Sequence, residues 1–467
     1  MALQNTRLGA ERIGALLKNC KGVYFIGIGG VSMCSLAEMT LRIGMAVGGS
    51  DRTDSARLDR LRSLGAAIRI GHGNDIPPAY GAVVYTVAIS AENPEYRVAA
   101  ARGLPLISRA DYLGWIMTAY RTRIGIAGMH GKSTCTAMCA QIFLSCADPT
   151  VLCGAELPSL GGDTCRIGTA HDHVIFEACE YMDSFLNFYP SLAVVLNIGL
   201  DHVDYFHSMD QIRESFRRYA EKTGKDGILL YNADDEESVR TFDDRYPNSR
   251  RFSLQHPDAD FYADGISIEN GRLTFRFHEN GVPLCKITLP ASGRHNVYNA
   301  LAAAAAARLS GIAPETITRS LATFSGAKRR MERKGTLNGA DVYDDYAHHP
   351  DEIRATLAGA RTLGYRRILC AYQPHTYSRT AGLFREFSGS FADADKIFFV
   401  DIYAARETNE SGVTSGKLAE AVRENGQDAI CTGSLPDTVA ALKTEAAPGD
   451  LILIMGAGDI ENIFQLL

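Results

Sequence analysis

Short apolar runs recur along the chain, each followed by a turn and then by a stretch of helical spacing, which is the pattern of parallel α/β units. Within residues 21–120, segments 23–26, 46–47, 67–70 and 82–86 predict strands, with helices from about residue 32 and over 56–64. The expected unit is Rossmann-like. A second unit opens at Arg123 and carries strands at 173–179, 192–197 and 227–231. Its later part changes period. Glu269-Asn270-Gly271-Arg272 and Glu279-Asn280-Gly281-Val282, beside alternating segments such as 273–277, predict hairpins with type I′ turns, because Asn-Gly accepts two positive φ angles. An alanine-rich helix follows over about 297–309. From about residue 326 a third α/β unit places strands near 342–343, 368–371, 397–400 and 451–455.

The polar residues that interrupt this pattern gather after the apolar runs. Residues 123–136 set Gly128, Gly131, Lys132, Ser133 and Thr134 between a strand and a helix. Glycines there let backbone N–H groups approach phosphate oxygens, the helix start favours negative charge, Lys132 reaches the β- and γ-phosphates and Ser133 offers a hydroxyl to Mg²⁺. The segment marks a nucleoside triphosphate site, with one departure: Gly-x4-Gly-Lys-Ser/Thr requires glycine at 126, where the chain has Ile126. An earlier turn, Gly27-Ile28-Gly29-Gly30-Val31-Ser32, nearly matches the dinucleotide fingerprint, with Ser32 at the third glycine and Asp51 where a ribose-binding acid is expected. Glu177 and Glu180 end one strand, and Asn197, Asp201 and His202 the next. Acids at such ends are the usual means of holding Mg²⁺ beside a triphosphate. Three more polar clusters follow strands of the third unit, at residues 343–350, 373–380 and 401–407, and the basic run 328–333 lies at the second boundary. That run reads as a solvated hinge or as a phosphate contact made on domain closure.

A chain of 467 residues has room for about three domains. Apolar content of 46% and charged content of 22% are ordinary for a soluble globular protein, and the first residues lack a signal-peptide pattern, so the cytoplasm is the expected compartment and no membrane insertion is expected. A net charge of −6 argues against general nucleic-acid binding. The eleven cysteines lie mostly in apolar runs and read as reduced, buried small residues. Cys135 and Cys139 share a helix face but lack partners at zinc spacing.

With these residues assembled, the chain resembles the Mur ligase family from end to end. The resemblance rests on residues 27–30, 128–134, 177–180, Asp201-His202, Gly293-Arg294-His295-Asn296, 344–350 and 373–380. It implies an α/β fold of three domains: a Rossmann-like N-terminal domain for a UDP-sugar over 1–120, a central P-loop ATPase domain with antiparallel hairpins over 121–325, and a Rossmann-like C-terminal domain over 326–467. It further implies an ATP- and Mg²⁺-dependent ligase that joins L-alanine to the lactoyl carboxylate of UDP-N-acetylmuramate through an acyl phosphate, in peptidoglycan precursor synthesis, as a monomer or homodimer.

Carried over residue by residue, Gly128, His130, Gly131, Lys132, Ser133 and Thr134 cradle ATP, and Ser133 and Glu177 hold one Mg²⁺ with His202 on a second. His295, Asn296 and Asn299 lie by the adenine or ribose, while Arg330 and Asp344 place the phosphates. Tyr346, His348 and Arg379 line the amino-acid pocket, and Gly27, Gly29, Gly30, Ser50, Asp51, His72 and Arg109 surround the UDP group. Lys132, Glu177, His202 and His348 form the catalytic set. Two departures stand out: Met129 where the family usually has threonine, and Gly199 where an acid is common. A modified lysine found in several relatives has no clear counterpart, Lys222 and Lys225 being only nearby. A ligase for a preformed peptide, a non-catalytic nucleotide-binding homologue and, from the first glycine turn alone, an NAD-dependent oxidoreductase remain alternatives at this level.

Overall fold

The structure is a computed structural model and describes residues 3–201, 205–243, 246–269, 271–405 and 407–467. His202 and Asn270 therefore lie outside the described residues.

Three sheets follow one another along the chain. The first has five parallel strands in the order Ala67–Ile70, Ala46–Asp51, Gly22–Ile26, Ala82–Tyr85 and Leu106–Ser108. Gly22–Ile26 is buried throughout, as expected of a parallel strand covered on both faces. The strand order reverses beside it, which opens a crevice at its C-terminal end, where the turn at Gly27 leads into helix Val31–Arg42.

The second sheet has ten strands. Its parallel centre runs Ser249–Ser253, Ile228–Asn232, Leu192–Val195, Thr122–Ala127, His173–Glu177 and Thr150–Leu157. Phe261–Glu269 pairs parallel with Ser249–Ser253 and antiparallel with Arg272–Glu279, which pairs in turn with Val282–Leu289. In the second hairpin Asn280 and Gly281 have φ of 49° and 77°, the two positive angles its Asn-Gly sequence predicts. The strand expected over 173–179 ends at Glu177, with Ala178 N donating the last rung of its ladder to the Ile126 carbonyl at 2.9 Å. The third sheet runs Glu332–Leu337, Ala340–Asp345, Asp450–Met455, Arg367–Tyr372, Lys396–Val400 and Ala429–Gly433, antiparallel only at its first pair. Strands such as Ser249–Ser253 and Ala429–Gly433 have no continuous apolar run, and neighbouring backbones define them rather than their own sequence.

Helix Arg294–Leu309 packs on the phosphate-loop helix Lys132–Leu144, and both faces of contact are made of small residues. Cys135, Cys139, Ala300 and Ala303 are fully buried, and the Cys139 Sγ lies 3.9 Å from the Ala303 carbonyl oxygen. Eleven cysteines are free, and the expectation of burial fails at Cys146, Cys179 and Cys431, which are exposed: the first two follow the end of a helix and of a strand, and Cys431 lies on the edge strand Ala429–Gly433. Among the described residues no helix is long and apolar enough to cross a membrane.

Alanine at 303 keeps the two helices close. Ala303→Leu is expected to destabilise the protein by about 1–3 kcal/mol through overpacking, read as a fall in melting temperature; an unchanged melting temperature would show that the interface yields.

Candidate active site

The strand Thr122–Ala127 lies between His173–Glu177 and Leu192–Val195, with Ile126 opposite Glu177 and Ala127 opposite Val195. Three chain segments therefore leave the sheet at one edge. Ile126, which replaces the standard glycine, is still a fully buried strand residue, so the loop begins two residues later and needs no glycine there. Gly128 and Gly131 have φ of 140° and 85°, and a Cβ on Gly131 would meet Asn299 Oδ1 at 2.4 Å. Asn197, from the next strand end, fixes the loop between them. Its carbonyl accepts from Met129 N at 3.3 Å, its Oδ1 accepts from His130 N at 2.9 Å, and its Nδ2 donates to the His130 carbonyl at 3.1 Å.

Lys132 opens the following helix. Its Nζ donates to the Gly128 and Met129 carbonyls at 2.5 and 3.1 Å and pairs with Glu180 at 3.1 Å. Burial alone would lower the Lys132 pKa, but Glu180 and Glu177 outweigh it and hold the group above the usual lysine range. Glu177 Oε1 accepts from Gly154 N at 2.6 Å and from Cys153 Sγ at 3.0 Å. Glu180, nearly fully buried, read in the sequence only as one of the strand-end acids, is here the partner of Lys132.

Two cavities of about 870 Å³ each meet over this loop. One is walled by Lys132, Ser133, Glu177 and Asp201 on the central sheet and by Arg330, Asp344, Tyr346 and His348 on the third. The other holds His130, Thr134, His295, Asn296 and Asn299. Gly131, Arg330 and Glu352 line both. The size and the polar lining of the pair suit a nucleotide with a second ligand beside its phosphates.

Arg330 lies over the Tyr346 ring, 5.3 Å from its centroid, with Arg329 also over that ring at 5.0 Å. Arg329 and Met331 adopt φ of 57° and 50°, a strained backbone for side-chain-bearing residues, held by Met331 N donating to Asp345 Oδ2 and Tyr346 N donating to the Arg329 carbonyl, both at 2.8 Å. The basic run thus occupies the expected hinge position between the second and third sheets and forms part of the cavity wall. Asp344 and Asp345 point to opposite sides of their strand: Asp345 binds the hinge, while Asp344 lines the first cavity with its Oδ1 buried and unbonded. Burial raises the Asp344 pKa to about 6 against the pull of Arg329 and Lys334. Burial also lowers His348 and His295 to about 4, so both imidazoles are neutral at pH 7. Arg379, on the short helix Tyr377–Gly382 that follows a strand of the third sheet, reaches across to Asp201 Oδ1 at 3.3 Å.

The residues expected around the UDP group form a separate cluster at the edge of the first sheet; among the described residues of that unit, Val31 and Arg57 alone line the first cavity. Asp51 Oδ2 accepts from Gly29 N at 2.8 Å, and a Cβ on Gly29 would meet that oxygen at the same distance, so Asp51 braces the glycine turn. Buried Glu95, unnoticed in the sequence, gathers Ser50, His72 at 3.1 Å and Tyr24 at 2.8 Å. Arg109 donates to Ser32 Oγ at 2.9 Å, which gives the serine in the fingerprint a partner that glycine lacks. Lys222 lies over the Tyr189 ring, and neither it nor Lys225 lines either cavity. Met129 and Gly199 face each other: a Cβ on Gly199 would lie 3.8 Å from Met129 Cγ, so a bulky side chain borders a position that has none.

Family models match in chain order: "Mur ligase family, catalytic domain" over residues 22–121, "Mur ligase middle domain" over 126–307 and "Mur ligase, glutamate ligase domain" over 329–458. The UDP-N-acetylmuramate–L-alanine ligase of Acetivibrio thermocellus is 43% identical over 448 residues, 96% of this chain and 95% of that protein. The ligase of the same name from Lachnospira eligens is 42% identical over 94% and 96%. Among solved structures, the UDP-N-acetylmuramate-alanine ligase of Thermotoga maritima superposes with a TM-score of 0.77 at 25% identity, covering 95% of this chain and 97% of that one. A murein peptide ligase of Psychrobacter arcticus gives 0.67 at 26% identity over 96% and 98%.

Because the fold favours the neutral Asp344 carboxyl, its contribution to stability is full below the ordinary aspartate pKa and is lost as pH rises through about 6. Asp344→Asn should raise the melting temperature of the ligand-free protein by roughly 2–4 °C at pH 7.5, with the gap closing toward pH 4. An equal gap at both pH values would exclude this origin.

Proposed function

The chain belongs to the Mur ligase family, and on that premise we propose that it joins L-alanine to the lactoyl carboxylate of UDP-N-acetylmuramate at the expense of ATP. The observation that carries this reading is the meeting of a phosphate loop with two domains' charged groups over one cleft. Lys132, Glu177 and Asp201 stand on one side of it, and Arg330, Asp344 and His348 on the other. ATP takes the cavity of His295, Asn296 and Asn299 with its phosphates over Gly131, and the glycine turn of the first domain takes the UDP pyrophosphate.

The lactoyl carboxylate attacks the γ-phosphorus, the bond to the β–γ bridging oxygen breaks and ADP leaves. The amine nitrogen of L-alanine then attacks the acyl carbon, the bond from that carbon to the phosphate oxygen breaks, and the departing inorganic phosphate takes the proton the nitrogen gives up. A carboxylate approaching a polyanion needs its charge offset, and Lys132 and Arg330 are among the cations that line this cavity. Hard oxygen donors suit Mg²⁺, and Ser133 and Glu177 supply a hydroxyl and a carboxylate at the cavity wall, with the unbonded Asp344 Oδ1 facing them across the cleft. Mg²⁺ bound there supplies positive charge to the phosphate oxygens. His348 Nδ1 faces two acceptors, the Tyr346 carbonyl at 3.0 Å and Glu352 Oε2 at 3.4 Å, so it carries the hydrogen and leaves the Nε2 lone pair for the amine. With a pKa near 4 this imidazole orients the nucleophile rather than carrying its proton away. Arg379, beside Asp201, is placed to receive the amino-acid carboxylate. Substrates of this kind place the work in the cytoplasm.

The test is phosphate release from Mg·ATP with UDP-N-acetylmuramate and, in turn, L-alanine, glycine, L-serine and the stem tripeptide, with product masses measured. Release that requires both substrates and is fastest with L-alanine is expected, whereas tripeptide preference would move the protein to peptide reattachment. Lys132→Ala should reduce turnover by at least about 10²–10³-fold; a near-normal rate would sink the site assignment.

A further inference from the structure

Glu352 lies in the first turn of helix Pro350–Arg361 and forms the return arm of the capping box of His349. A capping glutamate is ordinarily satisfied by backbone at a wet helix end. This one is 12% exposed and divides its two oxygens between two domains. Its Oε2 accepts from His348 N at 3.1 Å and His349 N at 3.3 Å, and its Oε1 lies 3.2 Å from His130 Nδ1, on the phosphate loop of the central sheet. The His130 ring also packs on that of His349, with centroids 4.9 Å apart. His130 is thus gripped from both sides, its backbone by Asn197 from the neighbouring strand and its imidazole by the third domain. The chemistry proposed above uses Glu352 only as an acceptor beside His348, and gives its other oxygen, toward the phosphate loop, no part, although it stands where the two cavities join.

We propose that Glu352 is a positioning residue that clasps His130, so that the phosphate loop takes its phosphate-binding shape only when the third domain is docked. The inference rests on the reading of the loop as the ATP site. It requires no new chemistry, because one carboxylate completes a helix cap in its own domain with one oxygen and holds the loop's imidazole with the other, and the imidazole has that partner only when the domains are docked. The groups facing His130 are Lys132 on its own loop, Asp201 on the neighbouring strand end, and His349, Asp351 and Glu352 from the third domain. Burial disfavours its imidazolium, but Glu352 outweighs burial and raises its pKa, so docking and protonation of His130 support each other. The clasp is strongest below the His130 pKa and weakens as pH rises through it.

Glu352→Gln keeps an oxygen for the helix cap and removes the charge from the clasp; His130→Asn leaves the cap untouched. Using the full-length chain, three readouts are taken: Mg·ATP affinity by calorimetry, the His130 titration by ¹⁵N-histidine NMR, and steady-state kinetics. Each variant is expected to weaken ATP binding and lower kcat by roughly 10–10²-fold, with the KM for UDP-N-acetylmuramate changed by less than about threefold, because that site lies on another sheet. The double variant should be no worse than either single one, and the His130 midpoint should fall in Glu352→Gln. An unmoved midpoint, or losses that multiply in the double variant, would overturn the clasp. If Glu352→Gln fails to fold, His130→Asn decides alone: wild-type ATP affinity and turnover in that variant reject the proposal. The NMR and calorimetric arms need no ligation product, so a failure of the L-alanine assignment would leave them readable.

Discussion

Parallel register is the constraint on which the site depends. Thr122–Ala127, His173–Glu177 and Leu192–Val195 run side by side in one direction, so the chain leaves the sheet three times at the same edge. The first exit is the phosphate loop, the second supplies Glu177 and Glu180, and the third supplies Asn197, whose amide fixes the loop's backbone. A slip of one residue in either pairing would turn these side chains to the other face of the sheet. Packing of the Lys132–Leu144 helix against the alanine-rich helix then sets Gly131 against Asn299, at a distance only glycine tolerates.

Desolvated charge governs what is built on that edge. Lys132 is buried with Glu180, Asp201 with Arg379, and His130 with Glu352, and the last two pairs cross from the central to the third domain. Buried ions are costly unless partnered, so each interdomain pair favours the arrangement in which the partner domain is present. Asp344 is the exception in this set: one oxygen is without a hydrogen bond, and its carboxyl is pushed toward neutrality. Left-handed backbone at Arg329 and Met331 adds strain at the same boundary, held by the Asp345 carboxylate and the Tyr346 amide. The strained backbone, the unbonded acid and the interdomain pairs all gather at this seam.

Much of this was legible from local sequence. The hairpin at Asn280-Gly281, the turn at Gly27 and the phosphate loop are set by residues whose allowed φ angles and donors are their own. The glycine missing at 126 misled only in appearance, because that residue is still inside a strand, and strand ends are poorly marked by composition. Glu95 and Glu352 escaped notice for a different reason: each looks like an ordinary surface or capping acid until the fold buries it beside residues far along the chain. The cysteines show the converse, since apolar neighbours in sequence did not keep Cys146, Cys179 and Cys431 from solvent.

By itself the sequence determined three α/β units, a phosphate-binding loop with a lysine and a hydroxyl, and acids at the strand ends, because strand periodicity, glycine conformation and helix starts are local properties. Only the tertiary structure decided that Lys132 pairs with Glu180, that Asp344 faces the cleft while Asp345 holds the hinge, and that Glu352 reaches His130. Those outcomes depend on which distant segments share a desolvated space, and burial together with the charged partners found there sets the charge each group carries.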